Sequence, residues 1–314
     1  NYAWYNNPYF AAEELQQSES RDVVNGQLRL NYQILPNLNI QGRAALRQKT
    51  ILQEMKVPKT YMNYGDSREG DYKVWNDRQT NVDADVLATY TQDLTPDILF
   101  TLNAGTSVFY RNYRQEYQST DGLIVPFVYS IKNTQGPSIT DANRNEKSIR
   151  SIYGSINLDL YKYAYLTLTG RNDWESQLAF TDHSSFFYPS VGLSAVLTEM
   201  IKLPEFISYA KIRGSYTSVA SSFDRFLSNP GFEFLEQSHQ WSTSSTRPAV
   251  NLKPERTKSW EIGLNTKFWN DLSFDFTFYK SNTYNQTFQI SQSSASGFST
   301  AVVQSGNVQN YGIE

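Results

Sequence analysis

The feature that most constrains this sequence is an alternation of apolar and polar residues with a period of two, repeated along most of the chain. Residues 26–33, 38–47, 81–90, 151–160 and 272–279 all show it. Successive side chains of a β-strand point to opposite faces, so the pattern predicts strands with one apolar and one polar face. Helical spacing fits none of these segments.

The connections between the predicted strands alternate in length. Tight turns are expected at residues 35–37, 93–97, 161–163, 201–205 and 269–271, and long loops at 52–79, 115–147, 176–186, 220–255 and 286–303. About ten complete strands and a partial one from Gln304 to Glu314 are predicted, most of them about 11 to 15 residues long, against about 5 to 6 in globular proteins. Short turns at one end and long loops at the other are typical of outer-membrane β-barrels. A soluble sandwich or propeller explains neither feature.

Composition excludes several classes of function. The chain has no cysteine and two histidines, so a protein-built zinc, haem-thiolate or iron–sulfur site is not expected. A net charge of -3 gives no reason to expect nucleic acid, whose binding depends on cationic side chains. A mean hydropathy of -0.55, with no apolar run of membrane-helix length, excludes an α-helical membrane protein, whereas alternating barrel strands average to a hydrophilic value.

No catalytic residue or cofactor is expected. Asp182, His183 and Ser184 bring together the residue types of a hydrolytic triad, but adjacent residues cannot converge on one reacting atom as a triad must. His239 lies in a polar loop without the spacing of a metal site. A barrel enzyme, such as a lipase or protease, is therefore the least favoured interpretation.

Several short motifs occur in the order in which one known family carries them. Asn251 to Glu255 (NLKPE) followed by Ser259 to Leu264 (SWEIGL) resembles the LKPE and EIGL stretch that opens a late barrel strand of TonB-dependent transporters. The motif residues are Leu252, Lys253, Pro254, Glu255, Glu261 and Gly263. Residues 165–174, 186–192, 210–216, 268–284 and 303–314 resemble further barrel stretches of that superfamily. Asn7 to Phe10 (NPYF) resembles the NPYW of its SusC-like branch.

The chain thus resembles SusC-like TonB-dependent outer-membrane transporters of Bacteroidetes, over nearly all of its 314 residues. The resemblance implies an all-β, transmembrane antiparallel β-barrel of about 22 strands closed by a plug. Residues 1–314 would form part of that single barrel domain, supplying about 10 to 11 strands. Because neither the plug, the TonB box nor a signal peptide is found in these residues, we expect them to be a portion of a longer chain. The implied partners are TonB, a SusD-like surface lipoprotein and outer-membrane lipid.

The polar face of the predicted strands carries charges of both signs. The candidate lumen-facing residues are Arg29, Arg43, Arg47, Asp83, Asp85, Arg171, Asp173, Arg213, Lys267 and Asp275. Paired carboxylates such as Asp83 and Asp85 can serve acid–base chemistry or cation binding. The favoured interpretation is instead that they meet basic side chains of neighbouring strands or of the plug across a hydrated lumen.

Five aromatic residues in loop-like segments are candidates for contact with a ligand or a lipoprotein lid: Trp4, Tyr5, Trp75, Phe232 and Trp241. Aromatic faces stack on sugar rings and also bind peptides, and they pack loops together. The expected function is TonB-driven import of an oligosaccharide or a peptide across the bacterial outer membrane. A passive porin or structural barrel is the alternative, since it would share every strand feature.

Overall fold

The computed structural model describes residues 6–59, 61, 69–179, 181–223, 227–228, 231–235, 240–249 and 251–314. The strands are β1 (Gln16–Leu35), β2 (Leu38–Val57), β3 (Asp71–Thr95), β4 (Ile98–Ser119), β5 (Ile139–Leu160), β6 (Ala164–Glu175), β7 (Ser185–Val196), β8 (Ile207–Ser221), β9 (Phe232–Leu235), β10 (Gln240–Thr243), β11 (Thr246–Arg247), β12 (Glu255–Phe268), β13 (Leu272–Tyr284), β14 (Thr287–Ser291), β15 (Thr300–Gln304) and β16 (Asn307–Ile313). Two short helices, α1 (Pro8–Glu14) and α2 (Leu197–Met200), and two 3₁₀ turns, Ser176–Leu178 and Ser294–Ser296, complete the described elements.

One sheet of 11 strands dominates the fold, in the order β1-β2-β3-β4-β5-β6-β7-β8-β12-β13-β16. Every neighbouring pair in it is antiparallel. The remaining strands form a β9–β10 hairpin and a small β11-β15-β14 sheet within long connections. The predicted succession of ten complete strands and a last partial one is confirmed, and it makes the sheet a simple up-and-down meander.

The first five strands are longer than the sequence pattern predicted. They span 20 to 25 residues each, so residues 52–57, 71–79, 115–119 and 139–147 are paired strand where loops were expected. The prediction was wrong because polar and apolar residues are mixed on both faces of these extensions. The alternation of hydrophobicity is therefore lost, whereas backbone pairing continues uninterrupted.

The connection predicted as a tight turn at 201–205 is instead longer, spanning residues 197–206, and begins with the helix α2. The other four tight turns lie where they were predicted. Two of them carry consecutive residues with positive φ, Tyr161 and Lys162 in one and Trp269 and Asn270 in the other. Two successive left-handed residues form the type I′ turn, whose twist matches that of a β-hairpin. Aromatic rings pack together at the second of these turns. Phe206 stacks on Phe268, and its ring centroid lies 6.1 Å from that of Trp269.

Cross-strand register divides the sheet into two faces. The polar face carries Arg43, which pairs directly with Asp85, and the apolar face carries Gly42, which pairs with Val86. On β4 the apolar face runs from Ile98 to Tyr110 without a charge. Twelve residue steps at about 3.3 Å, tilted by about 40°, give an apolar band about 30 Å tall, close to the roughly 25 Å expected of a membrane barrel.

Above this apolar band the strands continue as what we call the upper wall: residues 47–57 of β2, 71–81 of β3, 111–119 of β4 and 139–147 of β5. Hydrogen bonds to Glu69 join the β2–β3 and β4–β5 connections at the top of this wall. The carboxylate of Glu69 accepts hydrogen bonds from Lys59, at 2.9 Å, and from Gln135, at 3.0 Å. The bond from Lys59, followed by that from Gln135, lowers the pKa of Glu69.

Most of the buried apolar side chains of the described residues lie in the connections, not on the strands of the large sheet. One cluster joins Leu178, Phe186, Phe223, Leu252 and Val302 from four different segments. It holds the long connections of β6–β7, β8–β12 and β13–β16 together. Among the described residues no helix is long and apolar enough to cross a membrane.

Candidate functional site

All ten charged candidates lie on the polar face. Six residues on six adjacent strands form one continuous cross-strand row there: Arg29, Arg43, Asp85, Ser107, Ser151 and Asp173. Arg47, Asp83 and Arg171 share the face because they lie an even number of residues from members of the row. The second row, from Ser194 through Arg213 and Gly263 to Thr277, places Lys267 and Asp275 on the same face.

Arg43 and Asp85 form the best-defined ion pair of the row. Arg43 donates from Nε to Asp85 Oδ1, at 2.9 Å, and from Nη2 to Oδ2, at 3.0 Å. This parallel, two-bond geometry is the strong form of the arginine–carboxylate interaction. The expectation that Asp85 meets a basic residue of a neighbouring strand fits this geometry. Arg29, Arg47, Asp83 and Lys267, in contrast, form no ion pair with other described residues.

A second polar cluster surrounds Arg171. Its guanidinium donates to Asp173, at 2.8 Å, and to Ser151, at 2.7 Å, and its centre lies 5.5 Å from the ring centroid of Tyr153. Asp173 also accepts a 2.5 Å hydrogen bond from the phenol of Tyr188. A cavity of about 480 Å³ lies against both this cluster and the Arg43–Asp85 pair. The polar face therefore offers a preformed, charged concavity.

Two glycines of the polar face lie beneath large side chains of the next strand. A Cβ at Gly105 would lie 2.7 Å from Tyr153 Cζ, and one at Gly263 would lie 2.3 Å from Arg213 Nε. Arg213 crosses Gly263 to donate from Nη2 to Asp275, at 3.1 Å, and to Thr277, at 2.7 Å. This close approach is a physical reason for a glycine at the Gly263 position of the EIGL motif.

The upper wall presents an aromatic pair on its polar face. Trp75 and Tyr117 are direct cross-strand partners, with ring centroids 5.1 Å apart and ring planes at 35°. Trp75 belongs to β3 and not to a loop, which corrects the prediction, and Tyr117 was not predicted as a site residue. The register that follows from the tight 93–97 turn could have paired them.

Polar side chains flank the aromatic pair in the same row. Gln53 pairs with Trp75 on one side, and Asp141 pairs with Tyr117 on the other. One row below, Gln115 donates to Asp77 at 2.9 Å. A pair of aromatic faces bordered by amides and carboxylates is suited to a ligand that has both apolar surface and hydroxyl or amide groups.

The apolar side of the upper wall carries a half-buried phenol, that of Tyr72. Tyr72 donates a hydrogen bond to Glu54. Burial, reinforced by this bond to a carboxylate, raises the pKa of Tyr72 to about 12. The bond joins β2 to β3 well above the apolar band.

Two of the other predicted loop aromatics lie in a separate hairpin, β9–β10. Phe232 lies on β9 and Trp241 on β10, in an exposed hairpin where they are 72% and 70% exposed. Trp4 and Tyr5 lie outside the described residues, as does His239. His183 is half-buried in the β6–β7 connection.

The LKPE motif serves the packing of the connections. Leu252 is 1% exposed within the loop cluster. The backbone of Lys253 is held by one side-chain amide, since Gln304 accepts from Lys253 N at 2.7 Å and donates to Lys253 O at 2.5 Å. Pro254 accepts from Asn285 at 3.5 Å, and Glu255 is the first residue of β12. Glu261 lies on the polar face, opposite Ser215.

Comparison with known proteins agrees with this architecture. The family model described as TonB dependent receptor-like, beta-barrel, matches residues 1–314. The chain belongs to the TonB-dependent receptor β-barrel family. It is therefore a β-barrel protein of the outer membrane, and the predicted fold class and location are confirmed. A search of curated proteins found no match.

Solved structures share the fold at low sequence identity. The RagAB peptide importer in its open-open state matches with a TM-score of 0.84 and 18% identity, over 98% of this chain and 34% of that chain. The siderophore receptor PiuA from Acinetobacter baumannii matches with a TM-score of 0.56 and 16% identity, over 94% of this chain and 44% of that chain. The ferric-catecholate receptor Fiu from E. coli matches with a TM-score of 0.56 and 12% identity, over 96% and 45%. The likeness to RagAB agrees with the predicted SusC-like resemblance, and the chain spans about a third of the RagAB chain that it matches.

Proposed function

We propose that this chain forms part of the wall of an active importer, in which TonB drives uptake of a nutrient oligosaccharide beneath a SusD-like surface lipoprotein. In this arrangement the apolar band faces lipid and the polar face lines the lumen. The paired charges around Arg43 and Arg171 would then hydrate the lumen and offer hydrogen-bond partners to a plug.

The observation that carries the proposal is the Trp75–Tyr117 pair on the polar face of the upper wall. It lies above the apolar band, where an incoming ligand first meets the barrel, and it combines ring faces with the amide of Gln53 and the carboxylate of Asp141. Sugar rings have apolar faces that stack on aromatic rings and hydroxyl groups that bond to such polar side chains. A peptide is the second candidate, favoured by the structural likeness to the RagAB peptide importer.

The importer is tested by growth and energy dependence. A strain that lacks the gene is expected to lose uptake of one oligosaccharide or peptide class, and uptake in the parent strain is expected to stop when TonB is removed or the proton gradient is collapsed. Uptake that persists without TonB would contradict active import and favour the passive porin.

The ligand contact is tested by a matched pair of tryptophan substitutions in the purified transporter. Trp75→Ala is expected to weaken ligand binding by about tenfold, as truncation of a central aromatic contact does. Trp260→Ala changes the same residue type on the apolar face, opposite Tyr216, and is expected to leave affinity unchanged. Equal ligand affinity in the two variants would show that Trp75 is not part of the binding site.

A further inference from the structure

Three arginines stand side by side on the apolar side of the upper wall. Arg78 pairs with Arg114 across β3 and β4, and Arg114 pairs with Arg144 across β4 and β5. All three side chains are exposed. They lie four residues beyond Val82 and Tyr110, the last members of the apolar band on β3 and β4, and thus at the height where lipid headgroups begin.

The charge of this row is only partly compensated. Arg114 meets Glu116 at 2.7 Å and Arg144 meets Glu146 at 2.5 Å, while Arg78 forms no ion pair with any described residue. Like charges placed directly opposite on neighbouring strands destabilise a sheet. An anion with several oxygens would relieve that repulsion, because guanidinium groups bind phosphate through paired hydrogen bonds.

A groove lies in the apolar band below the row. It has a volume of about 360 Å³ and is floored by small residues, Gly42, Ala44 and Ala84, between the larger Leu28 and Val108. Ala84 precedes Val86 in the same groove and lies six residues from Arg78 along β3, a separation of about 20 Å at about 3.3 Å per residue. An acyl chain spans a distance of that order.

We propose that the arginine row and this groove together form a binding site for a phosphorylated glycolipid of the outer leaflet. The arginines would hold a headgroup phosphate, and the groove would hold one acyl chain of the same molecule. Two features favour a lipid over a soluble anion: the row borders the apolar band, and the groove opens on the face that meets the membrane. The inference does not depend on which nutrient the protein imports.

The test measures retention of lipid A by the purified outer-membrane protein in detergent, using native mass spectrometry. The double variant Arg78→Gln/Arg114→Gln is expected to retain bisphosphorylated lipid A about tenfold less well than the wild type. The matched control Lys258→Gln/Lys280→Gln removes two cations from the apolar side of β12 and β13 and is expected to behave as the wild type. Heat-dependent migration on a gel reports that each variant is folded.

Two further probes separate the lipid from a free anion. Dephosphorylated lipid A is expected to bind the wild type about tenfold more weakly than the phosphorylated form. Ala84→Leu, which fills the groove, is expected to weaken lipid A binding while leaving inorganic phosphate binding unchanged. Equal retention of both lipid A forms would overturn the phosphate contact. The lipid assignment would be overturned if inorganic phosphate displaced bound lipid A as effectively as free lipid A does and Ala84→Leu left lipid A binding unchanged.

Discussion

Substituting Gly105 by alanine tests the packing of the polar face most sharply. The new Cβ would lie 2.7 Å from Tyr153 Cζ and 2.8 Å from the backbone oxygen of Val86. The Val86 oxygen belongs to the backbone and Tyr153 Cζ to a rigid ring, so the backbone or the whole ring must move. Overpacking of this kind costs about 1–3 kcal/mol. Displacing Tyr153 also weakens its contact with Arg171, worth about 0.5–1 kcal/mol, and alanine recovers about 0.5–1 kcal/mol over glycine in a strand. The net expected loss is about 1–3 kcal/mol.

The assay is denaturant unfolding of the protein folded in lipid vesicles, followed by tryptophan fluorescence. Gly192→Ala is the control, because the nearest heavy atom to its Cβ is Thr167 Cβ at 4.0 Å, an ordinary contact on the same face. It should be as stable as the wild type or slightly more so. Adding Tyr153→Ala to Gly105→Ala should cost less than the two single changes summed, since the ring clash is gone. Gly105→Ala that matches Gly192→Ala in stability would refute the reasoning.

Three further predictions concern the connections and the upper wall. Leu252→Ala, at a fully buried position, should cost about 2–5 kcal/mol of local stability and raise hydrogen exchange in the long connections while the barrel strands stay protected. Tyr72→Phe should remove one late transition from the alkaline absorbance titration, near pH 12. Because burial raises this pKa above the ordinary value of 10.0, the contribution of the Tyr72–Glu54 contact to stability should be full below pH 10.0 and lost as pH rises through about 12. Glu69→Gln should weaken the contact with Lys59 and raise hydrogen exchange in the two loops that Glu69 joins. The pKa of Glu69 lies below 4.5 in the folded protein, so in the wild type this exchange should increase only as pH falls through that lowered pKa.

The sequence predicts the strands well where one face is apolar. Residues 272–279 alternate cleanly and form the first part of β13, and the turn at 269–271 follows from the break between two such segments. The alternation does not reveal the upper wall, because residues 71–81 mix polar and apolar side chains on both faces while their backbone pairing continues. The sequence therefore predicts a loop at Trp75, which the structure places on β3.

The sequence predicts which face of the sheet carries the candidate site residues, but not which of them contact one another. Parity along each strand places Arg43, Asp85, Arg171 and Asp173 on one face, but which charges pair depends on register across tight turns and on rotamer. Arg171 reaches Asp173 on its own strand, whereas Arg43 reaches Asp85 on the next. The close approach over Gly263 could not be predicted at all, since it depends on the path of a neighbouring side chain.

The most direct test of the account is whether β4 crosses the membrane with one face in lipid and then leaves it. These 314 residues contain no cysteine, so single cysteines placed along β4 can be spin-labelled in lipid vesicles without a second labelling site among them. Labels at Leu102 and Val108 should be accessible to oxygen, and labels at Asn103 and Ser107 to a water-soluble nickel complex. A label at Gln118, on the apolar side but in the upper wall, should report water. Equal accessibility at Ser107 and Val108, or a lipid signal at Gln118, would contradict the assignment of faces and of the apolar band.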